Sequence, residues 1–139
     1  MAAFARELCI KAAKEAATHS YSPYSNFKVG AFGVFENEKG EQKGFSGCNV
    51  ENAAYGPTNC GERSAIFAAV SAGFIYLVEM WVYTPTQEVA APCGVCRQVM
   101  YEFNPEAKVI CVCDDPKVVL EKTVAELLPF AFGPKDLGK

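Results

Sequence analysis

Cys60, Glu62 and Arg63 fall within one short stretch, "TNCGERSA", and Cys93 and Cys96 stand together in "APCGVCRQVM". Both stretches read as helix starts. Two cysteines three apart on a first helical turn can face one ion, and a third thiolate from a second helix leaves the fourth corner of a tetrahedral zinc free for water. An open corner permits metal-assisted hydrolysis. A closed structural site is the alternative and takes four protein ligands, yet neither the lone His19 nor a further nearby cysteine pair is an evident fourth. "CGVC" also has the spacing of thioredoxin-like redox centres, a reading that leaves Cys60, Glu62 and Arg63 unexplained.

Three thiolates around a divalent ion carry net negative charge, which weakens the ion as a Lewis acid. The helix N-termini offset part of it with partial positive charge and unpaired N–H groups. Arg63, three residues after Cys60 on the same helical face, is placed to donate hydrogen bonds to the ligand sulfurs. Glu62 is too close to Cys60 in sequence to coordinate comfortably and instead hangs over water at the open corner as an acid/base group. Alone, a first-turn glutamate is an ordinary response to the helix dipole. Beside Cys60 and the second cysteine pair it becomes a catalytic candidate.

The frame that must position these groups is small. At 139 residues the chain has the size of one compact domain, and 1–139 is read as a single unit. Net charge is −3 with no Lys/Arg block, so no nucleic-acid partner is expected. Arg6, Glu7, Lys11, Lys14 and Glu15 interrupt any secretory apolar core near the start. The uncharged stretch Ser64 to Val78 is too short to span a membrane and contains Gly73. A cytoplasmic location follows, in which cysteines serve as ligands or packing more often than in disulfides. Cys9, Cys48, Cys111 and Cys113 are read as buried packing residues.

Periodicity supplies the elements. Residues 2–18 form an amphipathic helix with Phe4, Leu8, Ala12 and Ala16 as its apolar stripe. Phe27 to Glu36 and Lys43 to Val50 make a hairpin around "NEKGEQ". Gly61 to Ala72 is apolar nearly all round, which implies a central buried helix ended by Gly73. Leu77 to Thr84 and Ala107 to Cys113 read as strands, Gly94 to Phe103 as a helix, and Thr123 with Glu126 as a capping box. Strands alternating with helices after a hairpin give an α/β sandwich on a mixed sheet.

Cys-x-Glu followed by Pro-Cys-x-x-Cys is the zinc nucleobase deaminase signature in its cysteine-only form. With "YSPYSNFKVGA", "GCNVENAAYGPTNCGERSA", "APCGVCRQVM" and "ELLPFAFGPKDL" in order over most of the chain, the sequence resembles the small, homotetrameric cytidine deaminases. That resemblance implies a three-layer α/β/α sandwich with a mixed five-stranded sheet. It implies hydrolytic deamination of cytidine and deoxycytidine, with zinc-bound hydroxide as nucleophile, one zinc per subunit on Cys60, Cys93 and Cys96, and Glu62 as proton shuttle. Arg63 matches the arginine that bonds ligand sulfurs, Phe27 an aromatic lining the pyrimidine pocket, and Asn49 and Glu51 the pair that holds the ribose. Ala53 and Gly61 join the substrate-binding set, while Tyr55 and Phe132 correspond to residues that enter a neighbouring subunit's site, which makes each pocket composite. Gly61 stands where the family commonly has alanine; it keeps the backbone N–H and loosens the helix start by up to about 1 kcal/mol. Deamination of a cytosine-containing antibiotic such as blasticidin S is the rival within the superfamily, and "NVEN" favours nucleosides. Arg97 has no readable role.

Overall fold

Along β1 (Gly30–Glu36) alternate side chains bury on opposite faces, Ala31 and Phe35 on one and Phe32 and Val34 on the other, so this strand needs cover on both sides. The computed structural model describes residues 4–139 and supplies that cover. β1 pairs antiparallel with β2 (Gln42–Cys48) and with β3 (Tyr76–Tyr83); β3 pairs parallel with β4 (Lys108–Val112), which pairs antiparallel with β5 (Val119–Thr123). The order β2-β1-β3-β4-β5 is a mixed five-stranded sheet.

Helix α1 (Arg6–Ala17) covers one face, setting Cys9 and Ala13 against Phe32, Val34, Trp81, Ile110 and Val112. Helices α2 (Gly61–Ser71), α3 (Gly94–Phe103) and α4 (Val124–Leu127) cover the other, where Ala65, Ile66, Ala69, Cys96, Met100 and Val124 meet Phe35, Leu77, Met80, Val82 and Val109. This is the expected three-layer sandwich. In β3 a bulge adjusts the pattern: Val34 faces Glu79 but Phe35 faces Leu77, so Val78 is an extra residue. The extra residue brings Leu77 into the same core as Met80 and Val82.

Two glycines set how closely helices approach the sheet. A Cβ on Gly30 would run into the backbone of Ala13 and Ala17, and one on Gly47 into the backbone of Gly61 and Ala65. The first close approach corrects the expected α1 stripe in part: Ala16 is buried and Phe4 and Ala12 pack against the core as read, but Leu8 is 50 % exposed, and Cys9, Ala13 and Ala17 are buried as well. Small residues let the helix seat on Gly30, and a leucine at the contact would hold it away.

Other boundaries shift for local reasons. Of the 2–18 helix reading, residues 2 and 3 lie outside the described residues. β1 starts at Gly30 rather than Phe27, after Asn26 at a positive φ of 59°, and Val50 makes only isolated bridges with Tyr21 and Asn59. The strand β5 was not read from periodicity, because its alternation is hidden by Glu121 and Lys122, charges that suit an edge. The α4 capping box is present as read. Helix α2 is not buried all round, since Phe67 is 49 % and Val70 38 % exposed. Cys9, Cys111 and Cys113 are buried, whereas Cys48 is only half-buried. No helix among the described residues is long and apolar enough to cross a membrane.

Gly47→Ala is expected to destabilise the fold by about 1–3 kcal/mol, because backbone on both sides must move to admit the methyl group. A thermal melt several degrees below that of the parent is the corresponding measurement.

Candidate active site

Register fixes which end of the sheet carries the chemistry. Cys48, Gly30, Tyr83 and Val112 are aligned across it, and both the connection into α2 and the connection into α3 leave from that end. Cys60 is the N-cap of α2 and Cys93 the N-cap of α3, each extended, and neither side chain caps a backbone N–H of its own helix. Cysteine is a weak cap, so both helix starts keep unpaired N–H groups and partial positive charge beside the sulfurs.

The Sγ atoms of Cys60, Cys93 and Cys96 all lie within 4.8 Å of one another. A tetrahedral zinc with bonds of about 2.3 Å requires ligand sulfurs roughly 3.8 Å apart. Cys60 and Cys93 Sγ are separated by 3.7 Å. The donor set therefore fits one zinc, and three thiolates leave one corner for a further ligand. Arg63 Nη2 donates to Cys60 Sγ at 3.3 Å, and its buried Nε–H finds no acceptor among the described residues. Burial opposes the charge on Arg63, but hydrogen bonds to Cys60 and Cys96 outweigh it and hold the guanidinium ionised. A hydrogen bond from Cys96, opposed by burial and aided by Arg63 and Cys93, lowers the Cys60 thiol, while the same bond and burial raise Cys96. Thiols must be deprotonated to hold a metal, so binding releases protons.

Glu62 is 3 % exposed, and burial pushes its carboxyl up to about 7. It lines a cavity of about 230 Å³ together with Cys60, Gly61, Cys93, Phe27 and Asn49. The remaining lining, which sequence reasoning missed, is Val29, Thr58, Asn59, Val82, Thr84 and Ala90 to Pro92. Val29, Thr58, Asn59, Ala91 and Pro92 lie inside the quoted motifs without a role assigned to them there, while Val82, Thr84 and Ala90 lie in none and are visible only once β3 and its following loop are laid beside α2.

Asn49 is largely occupied in bracing the pocket. Its Oδ1 accepts from Ser20 Oγ and from Val29 N at 2.9 Å, and its Nδ2 donates to Phe27 O at 2.7 Å. Both oxygen lone pairs are taken, so only one N–H remains for a ligand. Glu51 Oε1 accepts from Tyr24 N at 2.9 Å and Ser25 N at 3.1 Å, and Oε2 from Ser25 Oγ. Its carboxyl is held below the usual range, chiefly by the Ser25 hydroxyl. One acceptor site remains, on Oε2. Glu51 and Tyr55 line an adjoining depression that shares Thr58 with the cavity, whereas Ala53 lines neither. Tyr55 is 84 % and Phe132 59 % exposed, and Phe132 stands outside the chain's own cavity.

The fold and the cysteine cluster define a zinc-binding deaminase, and a family model described as "Cytidine and deoxycytidylate deaminase zinc-binding region" matches residues 5–113. The chain belongs to that family. A cytidine deaminase of Halalkalibacterium halodurans is 40 % identical over 95 % of this chain and 97 % of its own length. One from Sporosarcina psychrophila is 40 % identical over 94 % of this chain and 93 % of its own. The crystal structure of a cytidine deaminase from Burkholderia pseudomallei superposes with a TM-score of 0.83 at 42 % identity, covering 93 % of this chain and all of that one.

Arg97 now has an observable connection. Its Nε donates to Pro92 O and its Nη1 to Leu127 O, both at 2.8 Å, so it ties the peptide preceding Cys93 to the end of α4. Arg97→Ala is expected to lower stability by about 2 kcal/mol and to speed zinc loss to a chromogenic chelator several-fold. Arg97→Lys, able to reach one carbonyl, falls between the two in both measurements.

Proposed function

We propose that this chain hydrolyses cytidine and deoxycytidine to uridine and deoxyuridine with release of ammonia, using one zinc per subunit. The observation that carries this is three sulfurs within 4.8 Å of one another, two of them on the wall of a small cavity that a buried carboxyl group also lines. Zinc, held by Cys60, Cys93 and Cys96, supplies a Lewis acid that makes water nucleophilic at neutral pH. Glu62 takes the water proton, protonates the ring nitrogen, and passes a second proton to the departing amino group, so that water and cytidine become uridine and ammonia. Gly61 offers its backbone N–H to the base, and Arg63 tempers the charge on the sulfurs.

The spare bonding capacity described above supports a nucleoside rather than a free base. A sugar hydroxyl that accepts from the last N–H of Asn49 and donates to the free site on Glu51 uses both residues fully. Phe27, 38 % exposed at the cavity wall, gives a flat ring a stacking surface. This pairing also favours nucleosides over a blasticidin-like antibiotic. The redox reading is less well supported, since Cys60 joins the Cys93 and Cys96 sulfurs in one cluster.

Homotetramer assembly with composite sites, to which Tyr55 and Phe132 contribute, is part of the same reading. Phe67 and Val70 on α2, with fully exposed Phe130, supply apolar surface for it. Seven free thiols are consistent with a reducing cytoplasm.

Incubation with cytidine or deoxycytidine is expected to remove the long-wavelength shoulder of their ultraviolet absorbance, and an inert zinc-loaded protein would refute the reading. Glu62→Gln should retain about one zinc per chain yet lose about 10²–10⁴-fold in turnover. Mixing Glu62→Gln chains with Phe132→Ala chains after gentle dissociation should recover activity above either alone, as sites pairing intact halves form. Absence of recovery in confirmed mixed oligomers would argue against shared pockets.

A further inference from the structure

The loop after β3 opens with two hydroxyl groups whose proton directions follow from their partners. Thr86 Oγ1 donates its only proton to the Glu88 carbonyl oxygen. Thr84 Oγ1 lies 3.1 Å from Thr86 Oγ1, and with the Thr86 proton committed, Thr84 is the donor of that pair. Thr84 therefore has no proton to offer a ligand and retains lone pairs to accept one. Its position is fixed: Thr84 N donates to Val112 O at 3.1 Å, and Asp114 N to Thr86 O at 2.7 Å. Among the described residues lining the cavity, Glu62 and Thr84 are the oxygen-bearing side chains that are fully buried, each 3 % exposed.

We propose that Thr84 determines specificity by accepting a hydrogen bond from the pyrimidine amino group, and then from the ammonia that group becomes. This rests on the deaminase reading. A buried acceptor locked in one polarity pairs with N–H and is repelled by a carbonyl oxygen. Cytidine carries an amino group at the ring carbon where uridine carries a carbonyl. Thr84 thus favours the substrate over the product.

Zinc-loaded Glu62→Gln protein, which binds cytidine without consuming it, is the background for the test. Adding Thr84→Val, which keeps the side-chain shape, is expected to weaken cytidine binding about tenfold and leave uridine unchanged or tighter, whereas Thr84→Ser restores cytidine. Equal weakening of both nucleosides, the mark of a merely disturbed loop, overturns the assignment, as does no change in either. In the same background Thr86→Val releases the Thr84 proton and is expected to narrow the ratio of cytidine to uridine affinity. An unchanged ratio overturns the assignment even if Thr84→Val does not fold. If the Glu62→Gln parent binds neither nucleoside, the deaminase reading itself fails and takes this assignment with it.

Discussion

Two helices begin at the same end of the sheet, and the residue before each is a cysteine that leaves its helix uncapped. Three sulfurs within 4.8 Å repel one another as thiolates, and both partial positive helix ends and the Arg63 guanidinium offset that repulsion. The sheet makes the convergence possible. β2, β3 and β4 end and β1 begins at one aligned edge, so the chain enters α2 and α3 from that edge. Gly47 lets α2 lie close enough for its first turn to reach the loop that carries Cys93.

Around this centre most polar groups are committed before any ligand arrives. Asn49 braces Phe27 and Val29, Glu51 braces Tyr24 and Ser25, and Arg97 braces Pro92 and Leu127. Asn49 and Glu51 keep little capacity in reserve. A pocket whose residual donors and acceptors are few and fixed loses little entropy on binding and discriminates by polarity more than by size.

Chemistry was more legible in the sequence than architecture. Cysteine spacing, with Glu62 and Arg63 between, points to one ion because ligand geometry permits few alternatives. Helix α3 and the Thr123 capping box could be read from local signals alone, whereas β5 could not, since an edge strand lacks an apolar face to announce it. The α1 stripe is right at Ala16 and wrong at Leu8, because the deciding contact, Gly30 against Ala13 and Ala17, joins residues distant in sequence. Phe27, Asn49, Glu51, Tyr55 and Phe132 carry no signal of function in periodicity, and only their resemblance to a family drew attention to them. Thr84 had neither kind of signal; the role proposed for it comes from its hydroxyl partner Thr86 and from its place on the wall of the cavity that Glu62 also lines.

The extra residue Val78 divides β3 into two segments of different phase. Upstream, Tyr76 and Leu77 follow one alternation; downstream, Met80 to Thr84 follow another that faces the cavity. A bulge of this kind acts as a slip joint. It lets Leu77 bury in the core while the segment behind it keeps the phase that sets Val82 and Thr84 on the cavity wall.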